Sequence, residues 1–108
     1  KPMLLNREIL AGIGLTKNSK TTYRNTLYSG LELEITVEAE ESRETQIVDS
    51  KREQFINVLS GKVTITPKKG EAQIFYTGDF FILPKGFTGN WKSVGANLFR
   101  TLRVMQVK

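Results

Sequence analysis

The chain has 108 residues, 39% of them apolar and 25% charged, enough for one compact core and too few for a two-domain enzyme. It contains no cysteine and no histidine, which excludes disulfides, thiol nucleophiles, Ser-His relays, thiolate zinc sites and every metal centre that needs imidazole. The formal charge is +5, and the excess is local: residues 1–54 carry 8 basic and 9 acidic side chains, whereas residues 55–108 carry 8 and 2.

From the N-terminus, residues 1–20 form an arm of open character. Ile9, Ala11, Ile13 and Leu15 alternate and favour a strand, while Leu4-Leu5 with Ile9 also suits a helical turn. Thr21 to Tyr28, rich in Thr and Tyr, reads as a strand. Next, Leu31, Leu33, Ile35 and Val37 alternate with Glu32, Glu34, Thr36 and Glu38, the period-2 pattern of a strand with a buried apolar face and a wet acidic one. Glu40 and Glu41 prolong that acidic face.

The second half is punctuated by turn residues. Phe55 to Leu59 ends at Ser60-Gly61, and Lys62 to Thr66 follows directly. Pro67-Lys68-Lys69-Gly70 supplies a turn, so Ala72 to Tyr76 is expected to return as a hairpin. After Thr77-Gly78-Asp79, the run Phe80 to Leu83 is continuously apolar and is expected to be buried on both faces, until Pro84-Lys85-Gly86 ends it. Leu98 to Val107 closes the chain as a last strand. The protein is therefore expected to be all-β, with a sandwich and a small barrel tied on periodicity alone. No apolar run approaches the roughly 18 residues of a membrane span, so no membrane partner is expected. The first residue is Lys1; a cytoplasmic location is the expectation and an exported mature chain the alternative, since the lack of cysteine does not decide between them.

Two stretches carry a family resemblance. Glu53 to Thr66, with Gly61 at its turn, and Gly78-Asp79-Phe80-Phe81-Ile82-Leu83-Pro84-Lys85-Gly86-Phe87-Thr88-Gly89-Asn90-Trp91 resemble the two cupin motifs. They are most similar to the small single-domain cupins of the ureidoglycine aminohydrolase and ethanolamine-utilisation type, over about residues 31–105. The resemblance implies a single domain over residues 1–108. Its fold would be an RmlC-like jelly-roll β-barrel of two antiparallel sheets, usually dimeric, with a ligand or metal site inside.

The metal ligands of the family are missing. The position of the family's glutamate, seven before Gly61, holds Gln54; its paired histidines fall among Ile47, Val48, Asp49 and Ser50; its last histidine falls on Gly89. An amide and a hydroxyl bind divalent transition metals far more weakly than carboxylate and imidazole do, so no metal and no cofactor are expected. Members of this subfamily often carry a basic residue where this chain has Thr101.

With Gln54 directed inward, Ile56 and Val58 follow it while Phe55, Asn57 and Leu59 point outward. Gly89 and Trp91, two residues apart, share the inner face, and the missing side chain at Gly89 is expected to leave room beside the indole. Gln54, Tyr76, Gly89 and Trp91 are thus the candidate ligand-binding residues for a small polar or sugar-like molecule; the plainer alternative is that Trp91 plugs the core and Gln54 is a satisfied buried amide. Outward Phe55 and Leu59 require a cover, either the N-terminal segment or a second copy in a homodimer. Two other functions compete with ligand binding. One is a metal-independent isomerase or hydrolase, for which no catalytic residues can be named. The other is a basic barrel that binds nucleic acid, prompted by the charge and the aromatics, against which the cupin motifs argue.

Overall fold

The computed structural model describes residues 1–107; Lys108, the last residue of the expected domain, lies outside the described residues. The chain is almost entirely β. Its strands are β1 (Thr22–Ser29), β2 (Leu33–Glu40), β3 (Arg43–Ile47), β4 (Gln54–Ser60), β5 (Lys62–Pro67), β6 (Gln73–Tyr76), β7 (Phe80–Leu83), β8 (Gly89–Val94) and β9 (Phe99–Gln106). They form two antiparallel sheets, ordered β1-β2-β9-β4-β7 and β3-β8-β5-β6. Only β1–β2 and β5–β6 are hairpins of consecutive strands among the described residues; every other connection crosses from one sheet to the other. That is the jelly-roll arrangement, and it makes β4 and β5, adjacent in sequence, members of opposite sheets. Gly61 is the corner between them, with φ +95° and a Cβ direction that runs 2.5 Å from the Val94 carbonyl oxygen, a place only glycine fits.

The core lies between the sheets. Ile56 and Val58 of β4, Val63 and Ile65 of β5, Leu83, Trp91 and Phe99 form one buried apolar cluster. Phe75 stacks on Phe81 at 4.1 Å between ring centroids, bridging the edge strands β6 and β7. The Gly78-Asp79 turn is tied to β4: the Gly78 N–H donates to the Val58 carbonyl, the Val58 N–H to the Asp79 carbonyl, and the Tyr76 N–H to Oδ2 of Asp79 at 2.8 Å. Likewise the Gly86 N–H donates to the Ser50 carbonyl and the Ser50 N–H to that of Phe87, which fastens the β3–β4 loop to the turn before β8. Both turns of the second motif therefore act by holding other strands in place.

One open reading is decided and two expectations are corrected. At the N-terminus, where a strand over residues 9–15 and a helical turn were both open, the helical form is found, as a 3₁₀ turn at Arg7–Ala11; Oδ1 of Asn6 accepts the Glu8 N–H, and Gly12 closes the turn in the left-handed region. On β2, the supposedly wet face points into the sandwich. Register pairs Thr36 with Arg103, which pairs on its other side with the inward Ile56, and Glu38 with Thr101, which pairs with the inward Val58, so Thr36, Glu38 and Glu40 face the interior, and Thr36 and Glu40 are buried. Val37 and Ala39 are buried on the opposite face beneath the arm, which is tacked down by Asn25 (Nδ2 to the Gly14 carbonyl, Oδ1 from the Thr16 N–H) and by Arg100 (Nη1 to the Leu10 carbonyl). A strand covered on both sides has no wet face for the alternation to mark. On β7, Phe80 and Ile82 are exposed at 69% and 54%, because this short strand is the edge of its sheet.

Candidate functional site

Gln54 opens β4, and its phase with Ile56 and Val58 sends it inward. Trp91 enters the same space from β8, Ile47 and Leu83 from the ends of β3 and β7, Arg43 and Thr45 from β3, and Arg103 from β9. These seven line a cavity of about 190 Å³. A second, larger cavity of about 360 Å³, lined by Arg24, Glu34, Thr36, Lys51, Arg52, Gln54 and Met105, shares Gln54 with the first.

A polar network stands behind this lining. Arg103 has 13% of its side chain exposed and lies 5.2 Å from the centroid of the Trp91 ring. Its Nε donates to Oγ1 of Thr101 at 3.1 Å, and its Nη1 to Oε1 of Gln54 at 3.4 Å. Glu38 accepts from Oγ1 of Thr36 at 3.2 Å and sits 3.5 Å from Nε of Arg24 and 3.9 Å from Nε of Arg103. Glu40 holds the indole: its Oε2 accepts from Nε1 of Trp91 at 3.1 Å and from Oγ of Ser93, while its Oε1 pairs with Nε of Arg43 at 3.1 Å. Phe99 meets the indole edge-on at 6.0 Å. Trp91, 2% exposed, is thus a packed member of the core, as the plainer reading had it, and also part of the cavity lining.

Of the four candidate residues, Gln54 and Trp91 meet at the cavity. Tyr76 does not. Phase with the inward Phe75 turns it away, and it is 54% exposed on β6 at the edge of the other sheet. Gly89 shares the inward phase of Trp91 and Ser93 on β8, but leaves no open volume. A Cβ there would run into the Thr66 carbonyl oxygen, would approach the Phe87 ring to 2.7 Å, and would lie 3.0 Å from Cα of Pro67. Glycine is needed because β5 and the Phe87 turn close on it, so the room expected from its missing side chain is already filled. The sequence reading missed Arg43, Arg103, Glu38 and Glu40. Arg103 carried a signal: it stands two residues beyond Thr101, hence on the same face.

The donor set does not fit a cupin metal. Gln54 offers one neutral oxygen, already facing a guanidinium, Ile47 is apolar and Gly89 has no side chain; no group of three or more Asp or Glu among the described residues is placed to hold a metal ion.

Solved structures share the fold. The polyketide cyclase RemF from Streptomyces resistomycificus is 18% identical, with a TM-score of 0.67 over 82% of this chain and 67% of that one. KdgF from Halomonas sp. is 12% identical, with a TM-score of 0.72 over 91% of each chain. The Clostridium difficile EutQ protein is 17% identical, with a TM-score of 0.65 over 79% of this chain and 61% of its own. No curated protein sequence matches the chain. Residues 35–97, more than half of the chain and reaching from β2 to the loop before β9, match the EutQ-like cupin domain; with two antiparallel sheets in jelly-roll order and both motif turns in their places, the chain belongs to the EutQ-like cupin family.

Proposed function

We propose that this cupin binds a small polar ligand at the cavity between Gln54 and Trp91, without a transition metal. The observation that carries the reading is that these two residues, from opposite sheets, line one 190 Å³ cavity together with Arg103 and Thr45: an apolar wall of Ile47, Leu83 and indole set against a few fixed polar groups, the usual make-up of a ligand site. Binding is favoured over acid–base catalysis because the ionisable side chains in this lining are both guanidinium groups, Arg43 and Arg103, which stay protonated and cannot shuttle protons. In the test, a titration with small polar molecules and sugars is followed by the fluorescence of Trp91, the only tryptophan. Saturable binding is expected, weakened about tenfold in Gln54→Leu by loss of one polar contact to the ligand. Equal affinity in the variant would place the binding elsewhere. Elemental analysis after dialysis against chelator should find no stoichiometric zinc, iron, manganese or nickel.

For the outer face of the five-stranded sheet we propose a second copy of the chain as partner. Phe55, half-buried there, meets Phe80 at 5.9 Å and lies in one row with Ile35, Val104 and Ile82. Leu59 stands at the bulge between Val58 and Ser60. Ile82 at the end of this row and Phe80 two residues before it are exposed, forming an apolar patch of the kind that pairs in symmetric dimers.

A further inference from the structure

Resting on the reading that the cavity binds a ligand, we infer that the ligand carries a carboxylate, received by the Arg103 guanidinium and the Gln54 amide. The first ground is charge. The two cavities that share Gln54 are lined by five cations, Arg24, Arg43, Lys51, Arg52 and Arg103, and the carboxylates paired with them are three, Glu34, Glu38 and Glu40. The balance is two positive charges, and it falls unevenly. Arg43 has Glu40 at 3.1 Å, but Arg24 and Arg103 share the single carboxylate of Glu38, and Arg103 has the longer separation, 3.9 Å. Arg103 is also the most enclosed of the paired arginines, so water screens its charge least. A desolvated guanidinium with half a counter-ion favours an incoming anion.

The second ground is hydrogen-bond polarity. Because Oε1 of Gln54 accepts from Arg103, its amide nitrogen is left with two N–H groups to donate. Arg103 donates only. Side by side at the cavity they call for a ligand group made of acceptors, and the planar guanidinium fork matches the two oxygens of a carboxylate better than a point cation would. The third ground is shape: Ile47, Leu83 and Trp91 line the same cavity, leaving an apolar surface for a short carbon body. Where the metal-binding relatives hold a cation by a glutamate, this chain has an amide against its own guanidinium, and positive charge is supplied by Arg103.

The test uses the chelator-dialysed chain and the indole N–H signal of Trp91, with acetate and benzoate as probes, acetamide and benzamide as their neutral counterparts, inorganic phosphate as a tetrahedral anion and glucose as a neutral sugar. The acids should shift the signal saturably. The amides should bind at least about tenfold more weakly, the loss expected for one charge-assisted hydrogen bond. Arg103→Gln should lose a similar factor, and Arg103→Lys, which keeps the charge without the fork, should fall between. Amides binding as well as acids, or a folded Arg103→Gln with undiminished affinity, overturns the carboxylate while leaving a polar-ligand site. Phosphate shifting the signal where the acids do not also overturns it. If no acid, amide, phosphate or neutral sugar moves the indole, the binding reading fails as well. Should Arg103→Gln not fold, the acid-to-amide ratio on the unaltered protein decides.

Discussion

Glu40 shows at the scale of one residue how position overrides residue type. In sequence it is one glutamate of an acidic run; in the fold it is a buried carboxylate that accepts from Trp91 and Ser93 and pairs with Arg43. Removing it would leave an indole N–H and a hydroxyl unpaired in the core. Glu40→Ala is therefore expected to destabilise the protein by about 3 kcal/mol or more, the range for breaking a buried charged pair from one side, and Glu40→Gln, which keeps the shape and an acceptor, by roughly 1–2 kcal/mol. Urea unfolding measures both; equal small losses in the two variants would mean that the carboxylate does not hold the indole. Gly89 gives the opposite lesson. It reads as a vacancy left by a lost metal ligand, yet the backbone of β5 already occupies its surroundings, so Gly89→Ala is expected to lower stability rather than to narrow a cavity. This also moves the burden of the binding test from Trp91, whose substitution disturbs the core, to Gln54.

At the scale of elements, most strands were legible, β3 was not, and the faces of β2 and β7 were misread while that of β4 was read correctly. β1, β4 to β7 and β9 fall where alternation, Gly-Asp and Pro-Lys-Gly place them, because turn chemistry is local. Which side of β2 is inside depends on what lies over each face. A tacked-down arm covers Val37 and Ala39 from outside, and a polar interior receives Thr36, Glu38 and Glu40, so apolar alternation pointed the wrong way out. The site was half legible for the same reason: Gln54 and Trp91 follow from motif spacing and phase, whereas Arg43 and Glu40 reach them only through the register of β3 on β8 and β2 on β9. The arm gives this a direct check. Asn25→Ala removes both of its hydrogen bonds to the Gly14–Thr16 segment and should cost about 1–2 kcal/mol, while limited proteolysis should cut the arm earlier than in the unaltered protein. An unchanged cleavage rate would show that something other than Asn25 fastens it.

For the whole molecule, exposed Phe80 and Ile82 beside Phe55 predict association. Light scattering is expected to give about twice the 12.2 kDa of the chain, with Phe80→Lys shifting the mass towards one copy because a buried charge opposes an apolar interface; a monomer at every practical concentration would remove the dimer. The sequence pI of about 9.6 raised nucleic acid as a partner. Four of the sixteen Lys and Arg side chains, Arg24, Arg43, Arg52 and Arg103, are paired with carboxylates beside the two cavities; the small-ligand reading predicts that single-stranded DNA shows none of the steep salt dependence that phosphate contacts impose. No helix among the described residues is long and apolar enough to cross a membrane. The central claim is a metal-independent ligand site between Gln54 and Trp91, and one spectrum addresses it: the indole N–H resonance of Trp91 in chelator-dialysed protein, followed as a library of small polar molecules is added. The account predicts that at least one compound shifts this resonance saturably, together with the backbone amides of Thr45, Ile47 and Leu83, and that the shift is lost or greatly weakened in Gln54→Leu. A resonance that no compound moves, or that moves only once a divalent metal is supplied, would contradict it.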